Sequence, residues 1–282
     1  MRIGFAGAGR VGTSLGKYLS CNNIEISGYY NRTAEAAKES AEFVSCSVFD
    51  SPAQLAELSD IIFITVCDSA ISSIWDSIEV SGAALCGKIF CHCSGALSSQ
   101  VLSGCHKYGA YACSLHMMQA VSDRFTSFVR MKNAVFTSEG DKETLDVITS
   151  MLSSCGNKLY KIDTDKKVLY HTAASVVSNL IDGLVHTGLS LMTQCGFDEN
   201  EARLLMSPLI RDNIENILSK GTAAALTGPL ERNDIQTVSK HICCLGHEDA
   251  AMYKAVSLEV LKAARLKNPH HDYREMEALL RK

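Results

Sequence analysis

The chain has 282 residues, 46% of them hydrophobic and 21% charged. That is the balance of a soluble globular protein with length for roughly two domains. Its 27 basic and 31 acidic side chains leave a net charge of −4, and no basic run or stripe interrupts them, which argues against a nucleic-acid partner.

In chain order, Arg2 to Ala6 reads as a strand. Arg10 to Ser20 reads as a helix with Val11, Leu15 and Leu19 on one face. Ile24 to Tyr30 is the next strand, and Thr33 to Phe43 is a helix starting on a threonine cap. Ser51-Pro52 opens a further helix with proline at its first position. Asp60 to Val66 is a continuous apolar run, as a parallel strand buried on both faces requires. Ser69 to Ile78 is helical, and Lys88 to His92, Ala110 to Leu115, Ala134 to Thr137 and Lys158 to Ile162 are strands. Strands alternating with helices predict an α/β domain with a doubly wound, mostly parallel sheet.

Past Asp163 the pattern becomes helical only, so the expected division is 1–163 and 164–282. Lys166 to Cys195 reads as one long helix ending at Gly196. Asp198 caps the next helix, and Glu201 completes a capping-box pair. That helix runs to about Lys220. A loop, 221–233, precedes helices over Asp234 to Leu245 and Glu248 to Lys267 and a short one at the end. The most apolar long stretch, Val168 to Phe197, contains Asn179, Asp182 and His186. Such residues are costly in lipid, so a buried helix is expected rather than a membrane span. The first residues enter a strand directly with no basic leader, so neither a secretory signal nor a place outside the cytoplasm is expected.

Twelve cysteines is a high count. Cys67, Cys91 and Cys113 fall in expected buried strands, where reduced thiols act as small apolar side chains. Cys91-His92-Cys93, with Cys105-His106 downstream, comes nearest to a metal motif. No CxxC pair accompanies it, and Cys243-Cys244 points to opposite sides of a helix, so no metal is expected.

Gly7-Ala8-Gly9-Arg10-Val11-Gly12 joins the first strand to the first helix. In such a turn the first glycine permits the bend, the second lets the backbone approach a pyrophosphate, and the third allows close helix packing. The helix start then offers unpaired N–H groups to phosphate. A lone GxGxxG is weak, but its place at the opening of a β-α-β unit is the context that gives it meaning. An NAD site usually carries an acidic residue at the end of the second strand. Here Tyr30-Asn31-Arg32-Thr33 stands instead. Arg32 suits adenine stacking and a 2′-phosphate, with Asn31 and Thr33 as neutral hydrogen-bonding neighbours, so NADP(H) is the expected cofactor. The alternative is a solvated arginine at a helix start. Two later strand ends face the same crevice: Val66-Cys67-Asp68-Ser69, and His92-Cys93 followed by Ser94 and Gly95. Each is either a cofactor contact or a simple turn.

Proton-transfer chemistry has two candidate places. His116 ends the strand that carries Ser114 and Leu115. His171, Ser175 and Asn179 recur every four residues, so they share one stripe of a helix. A polar stripe on an apolar helix needs partners, either a bound substrate or satisfied core groups. Histidine suits proton transfer near neutral pH. His186, His241, His270 and His271 have no such context and read as surface residues.

Several of these motifs together resemble those of Rossmann-like proteins with a C-terminal helical domain of the DUF2520 type. The marks are the glycine turn, Tyr30 to Thr33, His92 to Ala96, Ser114-Leu115-His116 with Met118-Gln119, Tyr170-His171 with Ser178-Asn179, Glu201-Ala202-Arg203, and Leu226 to Pro229 followed by Arg232 and Asp234. That family is similar to ketopantoate reductase, 6-phosphogluconate dehydrogenase and pyrroline-5-carboxylate reductase. The resemblance implies a Rossmann domain and an all-helical domain of the 6-phosphogluconate dehydrogenase type, a small carbonyl or imine substrate, and a homodimer. It implies reduction of a 2-oxo acid, ketopantoate first. His171 is then the proton donor, Ser175 and Asn179 orient the carbonyl, and Thr227 or Arg232 meets a carboxylate. An imine reductase, a prephenate-type dehydrogenase, or a non-catalytic NADP(H) sensor stands as the alternative. Two departures from the pattern are visible. The connecting-helix lysine of the reductases is replaced by His171, and Met117 stands where relatives have proline.

Overall fold

The computed structural model describes residues 1–282, which form two compact units, Met1–Ser178 and Asn179–Lys282. In the first, runs of β-branched and aromatic residues have become strands and the amphipathic stretches between them helices. The order is β1 (Ile3–Ala6), α1 (Arg10–Cys21), β2 (Ile26–Tyr30), α2 (Ala34–Val44), β3 (Ser47–Val48), α3 (Pro52–Glu57), β4 (Ile61–Ile64), α4 (Ile71–Glu79), β5 (Ile89–His92), β6 (Tyr111–Met117), β7 (Val135–Gly140), α5 (Lys142–Ser154) and β8 (Lys158–Lys161). One eight-stranded sheet results, ordered β3-β2-β1-β4-β5-β6-β7-β8. All neighbours are parallel except β6 and β7. The chain reverses its direction of winding between β1 and β4, and this opens a crevice beyond their carboxyl ends.

One face of the sheet is built on a row of rings. Tyr29, Phe5 and Phe63 are register partners across β2, β1 and β4, stacked at centroid separations of 5.2 and 5.4 Å. Leu15 and Leu19 of α1 lie in the same core. The opposite face buries Leu55, Ile62, Ile64, Trp75 and Phe90. Ser51 caps α3 by accepting from the Gln54 amide, with Pro52 at the first helical position.

The first unit ends with α6 (Lys167–Val176). The second contains α7 (Asn179–Gln194), α8 (Glu199–Lys220), α9 (Thr222–Ala225), α10 (Ile235–Cys244), α11 (His247–Lys267) and α12 (Arg274–Arg281). Its core gathers Val238, Leu261, Ala264, Tyr273, Met276 and Leu280. Asp198 and Glu201 form a complete capping box on α8.

Three expectations change, and one strand is added. The single helix over 166–195 is two helices, because at its middle Ser178 N–H bonds to Ser175 O three residues back and the regular ladder stops. The stretch expected to be buried is not: α7 buries no residue within the chain. By length and composition Thr164–Gln194 is long and apolar enough to cross a membrane. Cys67 is exposed, because β4 stops at Ile64 and leaves it in the crevice loop. β3 has only two residues, both exposed, and no sequence pattern marks so short an edge strand.

The close approach of α1 to the sheet depends on Gly12. A Cβ there would collide with Gly7 O and Thr65 Oγ1. Gly12→Ala is therefore expected to lower stability in urea unfolding, because overpacking costs about 1–3 kcal/mol against a helix-propensity gain of at most about 1 kcal/mol.

Candidate active site

The glycine turn is fixed from three sides. Gly7 adopts φ +121°, donates its N–H to Tyr30 O at 2.8 Å and accepts from Thr65 Oγ1 at 2.7 Å. Asn31 Oδ1 takes the Ala8 N–H at 3.2 Å, and Asn31 Nδ2 donates to Thr33 O. Asn31 is thus a brace for the turn, with its amide already engaged within the chain, where the sequence presents it as a neutral hydrogen-bonding residue for the cofactor. α1 begins at Gly9 with no side-chain cap and no acidic residue in its first turn. The amides of Arg10, Val11 and Gly12 therefore face outward unpaired, since the first intrahelical bond is Thr13 N–H to Gly9 O. Nothing lies within 4 Å of where a Cβ of Gly9 would stand.

A cleft of about 570 Å³ opens at this point. Gly7, Gly9, Asn31, Arg32, Thr33, Val66 and Cys67 line it together with Ile74 and the serines 69, 73 and 77 of the opposite wall. Arg32 is exposed at its edge, and no carboxylate is among the lining residues. Its size and unpaired amides suit the adenosine and pyrophosphate of a dinucleotide.

A second group of residues comes together at β6, β7 and α6. The antiparallel pairing sets Ser114 opposite Glu139 and His116 opposite Thr137. Residues two apart on a strand share a face, so these four make one polar patch. Lys167, Tyr170 and His171 occupy positions i, i+3 and i+4 of α6 and meet that patch. Lys167 Nζ donates to Ser114 Oγ and lies 3.9 Å from Glu139 Oε1, with both charged side chains 1% exposed. Glu139 also accepts from Ser114 Oγ at 2.6 Å, from Ser99 N and Oγ at 2.8 Å each, and from Thr164 Oγ1 at 2.9 Å. Burial pushes its carboxyl up, but these hydrogen bonds more than offset that and hold it below the ordinary range. Burial pushes Lys167 down against the pull of Glu139.

The imidazoles lie over the end of β5. His116 Nδ1 is 2.8 Å from Tyr170 Oη, and the rings of His116 and His171 meet edge to face at 5.6 Å. A Cβ at Gly95 would collide with His171 Nδ1 and stand 2.9 Å from His116 Nε2. His171 Nδ1 is buried with no hydrogen-bond partner. Burial, then the charge of Lys167, lowers the His116 pKa to about 4. His116, His171 and Gly95 are thus brought together, with Ser175 half-buried one turn along α6.

Ser94 is engaged: it donates to Asp68 Oδ2 at 2.7 Å and accepts from the amides of Ala96 and Leu97. Asp68, Ser94 and Gly95 do not line the cleft. In the second unit, Asn179 opens α7 and is exposed, as are Thr227 and Arg232 in the loop after α9. That loop is held by Lys267 Nζ on Leu226 O at 2.6 Å and Tyr273 Oη on Glu231 O at 2.6 Å. All twelve cysteines are free, and no three His, Cys, Asp or Glu side chains converge as metal ligands do.

Sequence reasoning missed Glu139, Lys167 and Thr137. The helix does carry a lysine, one turn before His171, but a lysine near a helix start ordinarily reads as solvated. The available signal was an acidic residue inside a strand pattern, which demands a partner when buried.

The sequence matches a Rossmann-like domain over residues 1–117 and the DUF2520 domain of unknown function over residues 134–260. No curated protein matches it. A structure described as a candidate NADP oxidoreductase of Bacteroides fragilis is 22% identical, with 93% of this chain and 98% of that chain covered and a TM-score of 0.75. A protein of Thermotoga maritima is 25% identical, covering 94% of this chain and 99% of its own, with a TM-score of 0.72. Pyrroline carboxylate reductase of Plasmodium falciparum, solved with NADP bound, is 15% identical over 95% and 96% of the two chains, with a TM-score of 0.62. The fold is shared with all three.

Glu139→Ala leaves the Lys167 ammonium buried without a counter-charge and is expected to destabilise by about 3–5 kcal/mol in thermal or urea unfolding. Adding Lys167→Met should recover most of that loss. The pH dependence has a definite sign. Because the folded carboxyl titrates below its ordinary 4.5, its contribution is complete above that pH and drains away as pH falls further.

Proposed function

For this chain, a Rossmann-like domain followed by a DUF2520 domain, we propose the activity of an NADP(H)-dependent reductase of a small carbonyl or imine compound. The observation that carries it is the open turn at Gly9. Unpaired amides face a cleft with an arginine and no carboxylate at the end of β2. The amides of Arg10, Val11 and Gly12 would hold the pyrophosphate, and Arg32 the 2′-phosphate.

The bound cofactor supplies the hydride. The rest of the chemistry falls to the chain. His171, whose Nδ1 is unpaired beside Gly95, gives the proton that completes reduction to an alcohol or amine. His116 binds the reacting group alongside it. Ser175, one turn along α6, orients the substrate. In the second unit, taken by itself, the exposed Asn179, Thr227 and Arg232 are the residues we assign to substrate binding, Arg232 for a carboxylate. Among substrates we place 2-oxo acids first, ketopantoate leading, on the family resemblance. The similarity to a pyrroline carboxylate reductase favours a cyclic imine acid as the second reading.

We further propose a homodimer. Leu180, Leu204, Leu205, Leu209 and Leu218 of α7 and α8 are all more than half exposed, an amount of open apolar surface unusual for a monomer. Asp182 and His186 on the same apolar stretch argue for a protein partner over lipid. Twelve free thiols fit a reducing compartment, and we place the protein in the cytoplasm.

Fluorescence titration should show saturable NADPH binding. Arg32→Ala should weaken it ~10–100-fold, the loss of a charged hydrogen bond, while NADH binding changes little; equal loss for both cofactors would remove the 2′-phosphate assignment. His171→Ala should lower kcat of NADPH oxidation ~10²–10⁴-fold. NADPH binding without oxidation by any 2-oxo acid or cyclic imine acid points instead to a sensor. Sedimentation should return twice the mass of one chain.

A further inference from the structure

Tyr170 stands between two groups that decide where its proton goes. Its Oη is 2.7 Å from Thr137 Oγ1 and 2.8 Å from His116 Nδ1. Two proton arrangements keep the phenol proton within the row; a third, in which both neighbours donate to Oη, leaves that proton with no acceptor and is set aside. In the first, Thr137 donates to Tyr170 and Tyr170 donates to Nδ1. In the second, Nδ1–H donates to Tyr170, Tyr170 donates to Thr137, and the threonine hydroxyl must find another acceptor. The acceptor within reach is the His116 carbonyl oxygen at 3.5 Å, the outer limit for a hydrogen bond. Chemistry favours the first arrangement as well. A phenol is a stronger acid than an alcohol or a neutral imidazole N–H, and imidazole nitrogen is a stronger base than an alcohol oxygen.

We propose that Thr137 and Tyr170 hold His116 as the neutral tautomer protonated on Nε2, directing that N–H at the space beside Gly95 so that it donates a hydrogen bond to the substrate's reacting oxygen or nitrogen. His116 is then a neutral donor, and Tyr170 is its positioning residue. Nε2 stands 2.9 Å from where a Cβ of residue 95 would be, so the glycine leaves that direction clear. The surroundings oppose a cationic ring. Lys167 and His171 of α6 face His116, Asp68 beyond β4 is the one opposing carboxylate, and the His116 pKa is lowered to about 4. Tyr170 and Thr137 add no charge at neutral pH, since burial raises the phenol further. The proton-transferring role is left to His171, whose Nδ1 has no partner.

The substrate contact rests on the reductase reading, but the tautomer does not, and the two are tested separately. Long-range ¹H–¹⁵N correlation spectra of the full chain with labelled histidine, assigned through His116→Gln, should show His116 protonated on Nε2 and neutral until pH falls towards about 4. A proton on Nδ1 overturns the proposal. Tyr170→Phe removes the donor and should give a tautomer mixture, with kcat down ~10-fold for the loss of about one hydrogen bond and NADPH affinity unchanged. An unaltered imidazole spectrum in that variant overturns the proposal too. Should Tyr170→Phe not fold, Thr137→Val leaves the phenol in place and should shift the same signals with a ~2–5-fold loss in kcat. His116→Gln, which retains an N–H donor, should keep at least ~10-fold more activity than His116→Ala; equal loss in both overturns the donor role. NADPH oxidation decides the reductase reading, and the wild-type spectrum decides the tautomer whatever the assay gives.

Discussion

The carboxylate of Glu139 is the group on which the histidine end of the first unit depends. It is 1% exposed, and a charge at that depth persists only if every lone pair is used. Ser99, Ser114 and Thr164 donate to it, and Lys167 supplies the opposite charge. These partners come from the stretch between β5 and β6, from β6 itself, and from the turn at Thr164 that leads into Lys167 of α6. One buried charge therefore fixes the positions of three separate stretches of chain. Once Lys167 is fixed, helix geometry delivers Tyr170 and His171 to the neighbouring positions of the sheet face without further instruction. The strength of the arrangement lies in positional demand more than in net energy, because a buried ion pair recovers little beyond its own desolvation.

The dinucleotide end is held by a different economy. No charge is buried there. Backbone amides are left over at the start of α1 because glycine at 7 and 12 lets the helix sit directly on the sheet. Thr65, Tyr30 and Asn31 tie down the turn through its other polar atoms. What remains unpaired is the set of N–H groups that a phosphate would use. The two ends sit on opposite sides of β4 and β5, whose carboxyl termini both open into the crevice.

How much of this was legible follows from range of interaction. The glycine turn, the acid-free end of β2, the capping box at Asp198 and the apolar run of β4 are local patterns, each carried by residues within about one turn or one strand of each other. The pairing of Ser114 with Glu139 and of both with Lys167 spans up to 53 residues. It depends on β7 running antiparallel to β6, which no single-strand pattern encodes. The place of Asn31 at the end of the second strand assigns it to the cofactor; that its side chain also takes the Ala8 amide, 23 residues away, is not revealed by sequence spacing. The break at Ser178 escaped notice for a related reason. Val176, Val177 and Ser178 are mediocre helix formers but not breakers, and propensity alone is a weak guide to where a long helix pauses.

The two histidines of the site show how environment separates residues of the same type. His116 is enclosed, bonded through Nδ1 to a phenol and held close to a buried ammonium, so protonation costs it the solvation it lacks and the repulsion it meets. His171 sits on the helix side of the pair, partly open, with Nδ1 facing Gly95 and bonded to nothing. A rigid neutral donor beside an imidazole with an uncommitted nitrogen is an arrangement in which one ring can bind a reacting atom while the other exchanges a proton with it. Lys167 has a part in both. It balances Glu139 below the site, and its charge adds to the burial that lowers the His116 pKa. The buried ion pair thus contributes to the electrostatics of the imidazole layer as well as to its geometry, from one layer further in.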